Sequence, residues 1–213
     1  ESLRDAQEQS IPLLIHADRD VIVAAATAAG KTEAAFLPAL THLLQSEEPR
    51  LIVYISPLKA LINDQFGRLD KLCEQLDIPV WPWHGDIGAT SKTKFLKQRR
   101  GVLLITPESL EALLCNRGTS IAAVFQMTAF FVVDELHAFI GSERGKQLQS
   151  LMHRIENVLR PWHQKPGNRN FLFRNRPEDP FRLNSAKKYG LAARKQAAEP
   201  VHLRAGVIKR RNT

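Results

Sequence analysis

Four short apolar runs, at residues 21–25, 51–55, 102–105 and 130–133, punctuate the first 160 positions of this 213-residue chain. Each has the length of one strand, and none alternates with polar residues as a strand with one wet face would. Stretches with helical spacing lie between them, notably residues 58–76 and 90–100. Strands buried on both faces need helices above and below, and parallel neighbours need crossover connections rather than tight turns. The pattern therefore predicts an α/β fold, with a parallel sheet flanked by helices over residues 1–160. Ser2 and Asp5 are spaced as a capping box that opens a first helix. Leu148, Leu151, Met152, Ile155 and Leu159 fall on one face of a later helix beginning near Ser142.

Charge divides the chain at the same place. Residues 1–160 hold 17 Lys and Arg against 19 Asp and Glu, a net of −2, whereas residues 161–213 hold 13 against 3, a net of +10. The second stretch is also rich in Pro and Asn and has no sustained period, although residues 171–173 and 201–203 could form short strands. It is expected to be an irregular basic segment beyond a boundary near residues 160–170. Apolar runs fall well short of the roughly 18–20 residues that span a bilayer, and no basic-then-apolar leader opens the chain at Glu1. Cys73 and Cys115 are too few for a disulfide framework. These features predict a cytoplasmic protein with no membrane partner and with both cysteines in the core. His16, His42, His153 and His163 lack metal-ligand spacing.

The first apolar run leads into Ala25-Ala26-Thr27-Ala28-Ala29-Gly30-Lys31-Thr32 and then an apolar helix. A strand, a small-residue loop and a helix N-terminus together surround a phosphate with backbone N–H groups, and the helix dipole adds to the attraction. In this reading Thr27, Ala28, Ala29, Gly30, Lys31 and Thr32 hold the nucleotide. Lys31 reaches its β/γ-phosphates and the Thr32 hydroxyl binds Mg²⁺. Ala25 stands where the strict pattern has its first glycine. About 100 residues on, the run at 130–133 ends in Asp134-Glu135-Leu136-His137. There Asp134 would hold Mg²⁺ and Glu135 would polarise an attacking water. The pair of motifs predicts an ATP site.

The chain resembles the first RecA-like domain of superfamily 2 DExH/DEAD-box helicases, and within them the large-helicase-related (Lhr) group. Gln7, in Ala6-Gln7-Glu8-Gln9-Ser10-Ile11-Pro12, matches the glutamine that reads adenine. Gly30-Lys31-Thr32-Glu33-Ala34 resembles motif I, Ser56-Pro57-Leu58-Lys59-Ala60-Leu61 motif Ia, and Thr106-Pro107-Glu108-Ser109-Leu110 motif Ib. Asp134-Glu135-Leu136-His137 is similar to the DExH box, and Gly141-Ser142-Glu143-Arg144-Gly145 to the segment that follows it. The resemblance implies a RecA-like P-loop NTPase fold and catalytic roles for Lys31, Asp134, Glu135 and His137. It also implies nucleic-acid contacts at Ser56, Pro57, Lys59, Thr106, Pro107 and Glu108, with Gly85 of the Trp83–Asp86 turn adding a backbone contact.

Local physics agrees where motifs Ia and Ib each end a strand and open a helix, although Pro at a first helical position also serves plain capping. Trp81 and Trp83 could stack on bases or fill the core. Two parts of the family pattern are missing. No Ser-Ala-Thr follows the DExH box, Ser185-Ala186-Lys187 being a faint echo, and nothing after residue 160 has the pattern of a second RecA-like domain. The tail fits three accounts: a basic nucleic-acid-binding extension using Lys187, Lys188, Arg210 and Arg211, the stump of a longer chain, or a change of reading frame. The expected function is the ATP-binding and DNA- or RNA-binding N-terminal part of a helicase, needing a second RecA-like domain. The alternative is a non-catalytic nucleic-acid-binding adaptor that keeps the fold.

Overall fold

The structure, a computed structural model, describes residues 3–16, 21–25, 30–117, 120–163 and 204–210. In chain order the elements are α1 (Asp5–His16), β1 (Val21–Ala25), α2 (Lys31–Gln45), β2 (Leu51–Ile55), α3 (Lys59–Glu74), β3 (Val80–Trp83) and α4 (Ala89–Gln98). There follow β4 (Gly101–Ile105), α5 (Pro107–Arg117), α6 (Ile121–Phe125), β5 (Thr128–Val133), a single 3₁₀ turn (Leu136–Ala138), α7 (Glu143–His163) and β6 (Arg204–Arg210). They build one six-stranded sheet in the order β1-β6-β5-β2-β4-β3.

Strands β5, β2, β4 and β3 are mutually parallel. Every residue of β2, β4 and β5 is buried, as continuous apolar runs in a sheet covered on both faces require. The two-residue side-chain period sorts these runs into two cores. Ile52, Tyr54, Val102, Leu104, Phe130 and Val132 pack with Leu14, Phe36, Leu40 and Leu69 of α1, α2 and α3. Leu51, Val53, Ile55, Leu103, Ile105, Phe131 and Val133 pack with Phe95, Leu110, Leu114, Phe125, Leu148 and Ile155 of α4 to α7. Trp81 and Trp83 join the second core against Phe95, at 6.1 and 5.5 Å between ring centroids, so both serve as packing residues. Leu148, Leu151, Met152 and Ile155 form the buried stripe of α7 that their spacing predicts.

The structure departs from the sequence reading at the basic segment. Seven of its residues, Arg204–Arg210, lie inside the sheet and run antiparallel to both β1 and β5. The five strands of residues 1–160 all point one way, yet among the described residues β1 is hydrogen-bonded to the sheet only through β6. A run of four apolar or small residues between Arg204 and Lys209 is too short and too flanked by charge to announce a central strand. Helix α7 also continues past residue 160, to His163. Residues 171–173 and 201–203, Ser185–Lys187 and the proposed phosphate contacts at Lys187, Lys188 and Arg211 lie outside the described residues.

Cys73 is buried in the core as expected, but Cys115 is exposed on α5 with its Sγ 3.9 Å from Arg154 Nη1. One face of α5 must look outward, and a small thiol is tolerated there. Among the described residues no helix is long and apolar enough to cross a membrane.

Candidate nucleotide site and strand-end face

Register places the sequence motifs side by side. Ile55 is level with Val133 on one side and Ile105 on the other, and Ile105 is level with Trp83. The next residue of each strand is therefore Asp134, Ser56, Thr106 and His84, in a row along the carboxyl edge of the sheet. Backbone bonds continue the ladder one step past the strands, from Asp134 N to Ile55 O (2.9 Å) and from Ser56 N to Ile105 O (3.1 Å). That edge is where open α/β sheets place ligands.

At the β1 and β5 end of the row, Val23, Lys31, Thr32, Phe36, Tyr54, Val132 and Asp134 line one pocket. Lys31 and Thr32 occupy the first two positions of α2, whose N-terminal N–H groups have no acceptor within the helix. Gly30 caps that helix with a φ of +77°, in the left-handed region that only glycine enters without cost. A Cβ there would also sit 2.4 Å from Gln7 Nε2. Gln7 is buried against this turn. Its Oε1 accepts the Arg4 N–H at 3.0 Å and its Nε2 donates to Gly30 O at 3.4 Å. A side-chain amide has two donors and two lone pairs, so one of each remains for a further partner. The structure brings Gln7, Gly30, Lys31, Thr32 and Asp134 together; Thr27, Ala28 and Ala29 lie outside the described residues.

Asp134 has both carboxylate oxygens fixed. Oδ1 accepts the Glu135 N–H at 2.9 Å, and Oδ2 accepts the hydroxyl of Tyr54. Burial and the Asp134 carboxylate push the Tyr54 phenol far above its usual range, so it stays a proton donor. Glu135 is buried with φ +49°, a left-handed conformation that strains a residue with a long side chain. Its Oε2 lies 3.3 Å from His137 Nδ1, so the DExH histidine touches the acid. Hard oxygen donors from Thr32 and Asp134 beside a phosphate-binding turn suit Mg²⁺, which takes few protein ligands and completes its shell with phosphates and water. Among the described residues no cluster of three His, Cys, Asp or Glu side chains could hold a metal alone.

Farther along the row the expected nucleic-acid residues fall into two kinds. Ser56, Pro57, Thr106 and Pro107 are buried. The Thr106 hydroxyl accepts the Ser109 N–H at 3.3 Å, which caps α5, with Pro107 at the first helical position. Lys59, Gly85 and Glu108 are exposed. Lys59 Nζ is 2.9 Å from Asp86 Oδ2, next to Gly85. Arg144 ties the motifs together, donating to Pro57 O at 2.7 Å and pairing with Glu108 at 2.6 Å. Arg144 belongs to the segment quoted for its resemblance, but its reach to Pro57 was invisible because the partners are 87 residues apart. Tyr54 was equally hidden, as one more apolar-patterned residue of a buried strand.

The fold and site together define a P-loop nucleotide-binding domain of RecA-like form, with its motifs in helicase order. The chain belongs to the DEAD/DEAH box helicase family, whose model matches residues 4–173. Among curated relatives, ATP-dependent helicase Lhr-Core protein 2 of Thermococcus barophilus is 28% identical over 162 residues, covering 68% of this chain and 18% of the relative. Among solved structures, the DUF1998 helicase MrfA bound to DNA and AMPPNP superposes with a TM-score of 0.65 at 25% identity, over 76% of this chain and 22% of that one. Helicase Lhr of Mycobacterium smegmatis, bound to ssDNA and AMP-PNP, gives 0.60 at 27% identity, over 74% and 21%. The chain spans about a fifth of the length of the Lhr-Core relatives it matches.

Proposed function

We propose that this chain is the ATP-binding and nucleic-acid-binding first RecA-like domain of an ATP-dependent DExH-type helicase. The observation that carries the reading is the shared pocket of Lys31, Thr32 and Asp134, with Glu135 beside it at the end of β5. Lys31 and the first-turn N–H groups of α2 bind the β/γ-phosphates, while Gln7 offers its remaining donor and acceptor to adenine. Thr32 and Asp134 would hold Mg²⁺, which when bound neutralises phosphate charge. Glu135 takes the proton of the attacking water, and His137 holds that carboxylate from the side. Nucleic-acid phosphates lie along the same sheet edge, against Lys59, the Gly85 turn and the helix starts after Ser56 and Thr106. A RecA-like pocket of this kind has one open wall, and we assign a second RecA-like domain of the complete protein to close it. A cytoplasmic setting belongs to the same reading.

The test is a pair of substitutions. Lys31→Ala should weaken binding of a fluorescent ATP analogue by roughly tenfold or more, the loss of one charge-assisted phosphate contact. Glu135→Gln should leave that affinity within about twofold and, in the complete enzyme, lower turnover by about 10²-fold or more, since it acts on the attacking water. Equal losses of affinity in both variants would overturn the assignment.

A further inference from the structure

Tyr54 is a polar residue set among apolar neighbours on β2, β4 and β5. Its same-face neighbours Ile52, Leu104, Phe130 and Val132 are all apolar and buried, and Tyr54 itself is 2% exposed. A buried hydroxyl needs a partner, since leaving one unsatisfied costs about 1–3 kcal/mol. Here the partner is Oδ2 of Asp134, 80 residues away in sequence. The route is set by register: Tyr54 is level with Val132, so its ring leans along β5 and its hydroxyl arrives at the residue just past the strand. Phe36, from α2, fixes the ring from the other side at 5.6 Å between centroids. The same α2 carries Lys31 and Thr32 in its first turn.

We propose that Tyr54 is a positioning residue for the Mg²⁺-binding carboxylate, holding Asp134 in the rotamer that faces Thr32 across the pocket. This rests on the nucleotide-site reading above. Asp134 takes one hydrogen bond on each oxygen, from Tyr54 and from the Glu135 N–H, which together fix the plane of the carboxylate. A carboxylate has about four lone-pair sites, so two remain for the ion or its water. Without the hydroxyl, one oxygen loses its anchor and the group turns about its χ angles, which sacrifices order at the ion rather than contact with the nucleotide. Groups that orient a metal-binding carboxylate typically account for about 10–100-fold in metal affinity.

The experiment uses Tyr54→Phe, which keeps the ring packed on Phe36 and removes only the hydroxyl. Binding of a ribose-labelled fluorescent ATP is titrated with MgCl₂, and separately measured in EDTA. Tyr54→Phe should raise the Mg²⁺ concentration at half-effect by about tenfold and leave affinity in EDTA unchanged. Asp134→Asn should remove most of the Mg²⁺ dependence, and adding Tyr54→Phe to it should change nothing further, because the hydroxyl acts through that carboxylate. A merely structural tyrosine would lower affinity in EDTA as well and would add its effect to that of Asp134→Asn. Either result, or an unshifted Mg²⁺ titration in Tyr54→Phe, overturns the proposal while leaving the nucleotide site intact. If the unaltered chain shows no Mg²⁺-dependent binding and Asp134→Asn changes nothing, the nucleotide-site reading falls and this proposal with it.

Discussion

His84 sits at the strand-end row with its ring buried, its Nε2 2.9 Å from Asn63 Oδ1 and its Nδ1 3.7 Å from Asp86 Oδ2. Burial pulls its pKa below the ordinary value near 6.5. Asp86 offsets part of this, while Lys59 and Lys92 add to it. The folded state thus favours the neutral ring. Its contribution to stability is complete above pH 6.5 and is lost as pH falls below that value, where the unfolded chain takes up the proton first. Urea midpoints between pH 5 and 8 should fall on the acid side, and His84→Gln should flatten that slope. The two thiols make a second contrast. Cys73 is buried and its pKa is pushed up to about 11 by burial, with Asp70 adding to it, whereas Cys115 is exposed. Only the thiolate is nucleophilic, so iodoacetamide at pH 8 should label Cys115 in the native protein and Cys73 only after unfolding. Mass mapping of labelled peptides reads the result directly.

At the scale of elements, the join between the 3₁₀ turn and α7 is the tightest backbone contact along the acidic motif. A Cβ on Gly145 would lie 1.9 Å from Phe139 O, an atom of the backbone that cannot swing aside. Gly145→Ala should therefore cost about 1–3 kcal/mol, and with it about 2–4 °C of melting temperature per kcal/mol, as measured by calorimetry. The same stretch marks the limit of what the sequence made legible. The ends of β1, β2, β4 and β5, the helices α2 to α4 and the buried stripe of α7 are readable, because period and apolar run length are local properties, whereas β5 begins two residues before its apolar run, at Thr128. That Asp134, Ser56, Thr106 and His84 share one edge was implied only by motif order, because register is decided between strands. The contacts Tyr54–Asp134 and Arg144–Pro57 join positions 80 and 87 residues apart, and no local pattern encodes them. Cys115 was misjudged because a cysteine carries no signal for which side of its helix is wet.

For the molecule as a whole, the exposed Lys59–Asp86 pair controls charge on the face assigned to nucleic acid. Asp86→Asn should strengthen binding of a single-stranded oligonucleotide by about two- to fivefold, the scale of an exposed ion pair. Lys59→Ala should weaken it and lower the slope of log K against log salt by about one. Fluorescence anisotropy at several salt concentrations measures both. The strand inserted between β1 and β5 has a different kind of consequence, concerned with order in time. It pairs positions about 180 residues apart, so on a growing chain β1 is made well before residues 204–210 and waits for them. Until they arrive, β1 is held by helix packing alone, and β5 presents an unpaired edge that invites pairing with other chains. The strand that leads into the phosphate loop is hydrogen-bonded into the sheet only after about 180 further residues have been synthesised.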